Sequence, residues 1–127
     1  MLGRATVGML TLAAAACGHA TALSADVTPP VVTTRLFQFR PPALTVTIGT
    51  RVVWRNEDDI LHTVTSLTGV TPGSGFRRVL DGKGSSIDLT FTEPGAYAYA
   101  CERHPHMRGE VRVEAREPAA RRKGDRS

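Results

Sequence analysis

Between Val31 and Glu114, apolar and polar residues alternate in short runs closed by Gly, Pro or Asp, and no stretch longer than a turn carries helical periodicity. Leu44, Val46 and Ile48 alternate with Thr45 and Thr47; Ile87, Leu89 and Phe91 with Asp88 and Thr90; Val111 and Val113 with Arg112 and Glu114. Successive side chains on a strand point to opposite faces, so period two marks a strand with one face buried. The pattern predicts strands over 31–39, 44–48, 51–56 around Trp54, 62–66, 76–80, 87–91, 96–101 and 111–114. Pro41-Pro42, Gly49-Thr50, Gly69 to Gly75, Asp81 to Gly84 and Glu93-Pro94-Gly95 supply the breaks. Seven to eight short strands so punctuated predict an all-β fold, an antiparallel or mixed β-sandwich.

The ends read differently. Met1 to Ala22 has one early positive residue, Arg4, then an apolar run from Ala5 to Ala16, then small residues, the three-part pattern of a secretory signal. Cleavage after Ala22 fits the small-x-small rule through Ala20 and Ala22 and removes Cys17. The rival reading makes Cys17 a lipidated N-terminus, which is the one route by which this chain would meet a membrane; the apolar run falls short of the roughly twenty residues of a spanning helix. Residues 23–30 form a linker, with Pro29 and Pro30 unsuited to a sheet interior. Residues 31–115 form the one folded domain. Of the two cysteines only Cys101 lies inside it, so no disulfide can brace it.

A net charge of +4 raises the question of nucleic acid. The charge is localised: Arg116, Arg121, Arg122, Lys123 and Arg126 crowd the segment 116–127, while residues 23–115 balance ten basic against ten acidic side chains. A neutral body with a basic, disordered tail gives no folded nucleic-acid surface.

Chemistry concentrates in Tyr97-Ala-Tyr-Ala-Cys101-Glu-Arg-His104-Pro-His106-Met107. Alternation puts Tyr97, Tyr99 and Cys101 on one face. A buried thiol alone is commonly an inert core residue. Here the Cys-x2-His-x2-Met spacing lets one short turn bring a thiolate, an imidazole and a thioether to a point, and His62 offers a second imidazole upstream. Two imidazoles and a thiolate with a weak axial thioether are the ligands of a blue-copper electron-transfer centre. Zinc also suits Cys and two His, but Met is foreign to it, and a structural zinc site recruits a fourth Cys or His.

Residues Thr90 to Glu114, with Cys101, His104 and Met107 in their short loop, resemble the C-terminal half of the amicyanins, small type 1 copper proteins of the plastocyanin/azurin-like cupredoxin family. Thr45 to Asn56, through Trp54, continues the resemblance. It implies a cupredoxin-type Greek-key β-sandwich holding one type 1 copper ion through His62, Cys101, His104 and Met107. It further implies that Asn56, six residues before the first His, ties the two ligand loops together. The function implied is that of an exported, periplasmic or otherwise extracytoplasmic electron carrier, monomeric and not an enzyme, that cycles Cu(II)/Cu(I). A c-type cytochrome or a dehydrogenase would be its redox partner by family resemblance alone. The alternative is a copper storage or sensing protein, against which stands the lack of any Met/His-rich tract. A Cys-His enzyme is the other rival, and no third orienting group or oxyanion motif accompanies the pair.

Two departures from the family pattern matter. Leu61 stands where Pro often precedes the first His ligand. His106 stands where an apolar residue is usual, so it competes with His104 as a ligand in principle; failing that, Pro105 and His106 belong to the surface that meets a partner.

Overall fold

The computed structural model describes residues 27–117. The expected export signal, Cys17, residues 23–26 and most of the basic tail lie outside the described residues. Nine strands form within them: β1 (Val31–Arg35), β2 (Gln38–Arg40), β3 (Ala43–Thr47), β4 (Arg51–Asn56), β5 (His62–Ser66), β6 (Arg77–Leu80), β7 (Ser86–Thr90), β8 (Gly95–Ala100) and β9 (Arg108–Glu114). One sheet has the order β2-β1-β4-β7, the other β3-β9-β8-β5-β6. Two pairs, β1 with β4 and β3 with β9, are parallel and the rest antiparallel, so the sandwich is mixed.

The alternation read from the sequence selects the buried faces. Val32 and Thr34 on β1, Val52, Trp54 and Asn56 on β4, Tyr97 and Tyr99 on β8, and Val111 and Val113 on β9 point into the space between the sheets. Trp54 and the two tyrosines are core residues. Trp54 is fully buried with its ring edge-on to Tyr99 at 5.6 Å, and Phe39 also meets Tyr99, at 4.9 Å. Each such side chain removed from water contributes roughly 1.5–3 kcal/mol, and the aromatic pairs add about 0.5–1.5 kcal/mol. Tyr97 ties its own strand down by donating its hydroxyl to the Glu93 carbonyl at 2.7 Å.

The strand count exceeds the expected seven to eight because the stretch 31–39 folds back on itself. Arg35 pairs with Gln38, leaving a two-residue turn at Leu36-Phe37 with φ of 51° and 57°. Two consecutive left-handed residues are the geometry that matches the twist of a hairpin, and Asn-Gly normally supplies it. Leu and Phe adopt it at a cost of about 1–3 kcal/mol each, so the local sequence carries no turn signal.

Gly109 on β9 faces Tyr99 across the β8–β9 pair, and a methyl group added there would overlap the Tyr99 ring and hydroxyl. Gly109→Ala is expected to push this ring into Trp54 and lower stability by about 1–3 kcal/mol in a denaturant titration.

Burial pushes the Tyr99 hydroxyl up to about 12, with Trp54 partly offsetting it, and burial followed by the Glu93 charge also raises Tyr97. A raised folded-state value means that the buried neutral phenol contributes stability fully present below the ordinary pH of about 10, lost as pH rises through the folded value. Both tyrosines of the chain should therefore form phenolate only above pH of about 10. Ultraviolet titration checks this, and Tyr99→Phe should remove the later step.

Candidate metal centre

β8 ends at Ala100 and β9 begins at Arg108, so Cys101 to Met107 form the turn of a hairpin. The turn closes on itself: Cys101 N–H donates to the Met107 carbonyl at 3.1 Å, and Met107 N–H to the His104 carbonyl at 2.8 Å. Cys101 continues the inward phase of Tyr97 and Tyr99 and is 1% exposed, as is Met107. His104 is half-buried, whereas Pro105 and His106 are exposed.

The second imidazole arrives from the loop between β4 and β5. Asn56, fully buried, organises this loop: its Oδ1 accepts the Asp58 N–H at 2.9 Å, and its Nδ2 donates to the Ile60 carbonyl at 2.8 Å and to Leu80 at 3.4 Å. The resulting turn delivers His62 as the first residue of β5, with its ring wholly buried. Asn56 thus braces the first ligand loop from within. The tie between the two ligand loops expected of Asn56 is made by Thr63 instead. Thr63 N–H donates to Cys101 Sγ at 3.4 Å, and Thr63 Oγ1 accepts the Glu102 N–H at 2.9 Å. On the outside, Glu102 takes a bidentate ion pair from Arg77 of β6, at 2.9 and 3.0 Å from Nε. That pair is exposed, so solvent screens it and it adds little to stability.

These constraints bring three donors together. Cys101 Sγ lies 3.8 Å from His62 Nδ1 and 3.7 Å from His104 Nδ1, and the three ligand atoms fall within 4.8 Å of one another. A first-row ion such as zinc sits about 2.0 Å from an imidazole nitrogen and about 2.3 Å from a thiolate. In a trigonal plane those lengths place N and S about 3.7 Å apart, which is the spacing found. Loss of solvent, followed by the charges of His62, His106 and Arg103, lowers the His104 imidazole below the ordinary histidine range, against a smaller pull from Asp58. An unprotonated Nδ1 is what a metal requires.

Asp58 and Phe37 also belong to the site, although neither is among the residues that the ligand spacing picks out. Asp58 Oδ2 lies 3.0 Å from His62 Nε2, the nitrogen turned away from the cluster. Partial burial opposes ionisation of Asp58, but the amides of Phe37 and Leu36 and the His62 ring outweigh it and leave the carboxyl below its ordinary value. Phe37 stands edge-on to both imidazoles, at 5.7 Å from His62 and 5.0 Å from His104. An acidic residue four positions before a ligating His was the one available sequence signal for Asp58. Phe37 had none.

A mixed β-sandwich that gathers one buried thiol and two imidazoles at one end, with a buried Met on the same loop, defines a cupredoxin, the β-sandwich class that carries a single copper ion. Residues 25–114 match the family of copper binding proteins of the plastocyanin/azurin type, and the chain belongs to that family. It is 37% identical over 84 residues to amicyanin of Paracoccus denitrificans, a match covering 66% of this chain and 64% of that protein. It is also 30% identical over 83 residues to plastocyanin A/B of Petroselinum crispum, covering 59% of this chain and 86% of that one. Among solved structures, a Cu(I) methionine-to-alanine variant of amicyanin aligns with a TM-score of 0.63 and 34% identity, over 68% of this chain and 82% of the other. The chain is an amicyanin-like cupredoxin, and its cofactor is one copper ion.

His106 lies outside the three-donor cluster, its ring centroid 6.2 Å from that of His104. With copper added and no free imidazole present, His104→Gly is expected to abolish the thiolate-to-copper(II) visible band, and His106→Gly to preserve it. Loss of the band in the His106 variant alone would reverse the assignment.

Proposed function

We propose that this protein is an exported type 1 copper protein that carries single electrons between redox partners, with His62, Cys101, His104 and Met107 as its copper ligands. The observation that carries the reading is the donor cluster already assembled by the fold: one buried sulfur 3.8 and 3.7 Å from two imidazole nitrogens. Copper, when bound, supplies the one-electron Cu(II)/Cu(I) couple.

The chain's own residues would make that couple fast and reversible. Cys101 supplies an electron-rich thiolate suited to the oxidised ion, and Met107 with its apolar surroundings suits the reduced one. The Thr63 N–H on the Cys101 sulfur withdraws charge from it, which favours the reduced state. Because Asn56, Thr63 and the closed Cys101–Met107 turn hold the donors in place, little rearrangement accompanies electron transfer.

His62 is fully buried and His104 only half-buried, so His104 is the proposed route for electrons. Around it Phe37, Pro105 and His106 are exposed, and a groove running past Phe37, Phe39, Arg40, His106 and Met107 adjoins them. Pro105 and His106 are the proposed partner surface, and a c-type cytochrome or a dehydrogenase is the proposed class of partner. Export to the periplasm or another extracytoplasmic space is proposed from Arg4 and the apolar run Ala5 to Ala16, and a monomer suffices for the role. Electron carriage calls for no catalytic group beside the Cys-His pair, and the orienting carboxylate of Asp58 serves the metal site in this reading.

Adding Cu(II) to the chain freed of its export signal should give an intense thiolate-to-copper band, a type 1 paramagnetic-resonance spectrum and reversible one-electron voltammetry. Cys101→Ala should lose all three. Tight Cu(I) binding without the band or a reversible wave would favour storage or sensing.

A further inference from the structure

The Leu36-Phe37 turn is held in its left-handed form by a residue remote in sequence. Asp58 accepts the Leu36 N–H at 2.7 Å and the Phe37 N–H at 3.0 Å. Two successive amides converging on one carboxylate form an anion-binding nest, here filled by the chain's own side chain. The same carboxylate lies 3.0 Å from His62 Nε2. One group therefore engages the β1–β2 hairpin and the first imidazole at once. The turn so held carries the Phe37 ring against His62 and His104, with interplanar angles of 88° and 80°. Phe37 remains 41% exposed, so burial alone does not hold it there.

We propose that Asp58 is a positioning residue that couples the β1–β2 turn to both imidazoles. It fixes the His62 tautomer with the proton on Nε2 and Nδ1 free toward Cys101, and it holds the strained turn so that Phe37 forms a fixed wall against His104. This rests on the copper reading above. The wall limits how far the half-buried His104 ring can swing and how much water reaches it. Leu36 and Phe37 thus keep an unfavourable backbone conformation for the sake of the site, with the carboxylate as the counterweight.

Two measurements on the metal-free chain test the hub by itself. Nitrogen NMR should find the His62 proton on Nε2, and the Leu36 and Phe37 amides should exchange slowly with solvent. In Asp58→Asn, which loses charge and one acceptor but keeps the shape, both amides should exchange faster; in Asp58→Ala the tautomer preference should also fall away. In the copper-loaded chain, Asp58→Ala should weaken copper binding roughly 10–100-fold, measured by chelator competition. Phe37→Gly relieves the turn and should leave thermal stability equal or higher, yet alter the paramagnetic-resonance spectrum and speed copper loss to chelator.

A wild-type chain that fails to form the visible band overturns the copper reading, while the metal-free measurements still decide the hub. A wild-type chain that turns blue, with Asp58→Asn amides still protected, overturns the hub alone. A Phe37→Gly chain with unchanged spectrum and copper release overturns the wall. If Asp58→Ala does not fold, Asp58→Asn and Phe37→Gly carry the test.

Discussion

The hydrogen bonds through Thr63 are the joint on which the copper end is built. Two of the clustered donors come from sequence positions 39 residues apart, His62 at the start of β5 and Cys101 just after β8. Strands β5 and β8 are neighbours, but the described pairing between them reaches only Thr65 and Ser66. Beyond it, Thr63 continues the contact with its own atoms, an N–H to the Cys101 sulfur and an Oγ1 that accepts from Glu102. Both groups are buried, so leaving either without a partner would cost about 1–3 kcal/mol. The site is therefore an extension of the sheet, not a separate loop feature.

This construction explains why the donors can stand ready around a common point. Hydrogen bonds hold each of them: His62 by Asp58, Cys101 by the Thr63 amide and its own N–H to Met107, and the loop's far limb by Met107 N–H to the His104 carbonyl. Beneath them, Tyr99 packs between Trp54, Phe39 and the bare backbone at Gly109, which gives the hairpin carrying Cys101 a rigid floor. A donor set that is rigid before a metal arrives suits an ion whose two oxidation states prefer different surroundings.

The strand segments were legible because one face of each is buried, and burial of one face writes period two into the sequence. Ile87, Leu89, Val111 and Val113 were placed in strands on that ground, and they lie there. The hairpin at Leu36-Phe37 was not legible, because its turn is stabilised by Asp58, twenty-two residues from Leu36, and not by the Asn or Gly that announces such a turn locally. Of the site, the cluster of His62, Cys101 and His104 was legible from ligand chemistry and loop spacing, and His104 is the ring of that loop whose Nδ1 stands 3.7 Å from the sulfur. Thr63, Asp58 and Phe37 were not, since a Thr in a strand, an Asp in an acidic loop and a Phe in an apolar run each have an ordinary local explanation.

By itself, then, the sequence determined the alternating strands, the breaks between them and the candidate metal donors, since side-chain periodicity and ligand chemistry are properties of residues and spacings. The tertiary structure decided which groups hold those donors. It substituted Thr63 for Asn56 as the link between the ligand loops, folded one apparent strand into a hairpin, and set Asp58 between that hairpin and His62. Hydrogen bonds between segments distant in the chain depend on how the sheets pack, and no local pattern of residues encodes them.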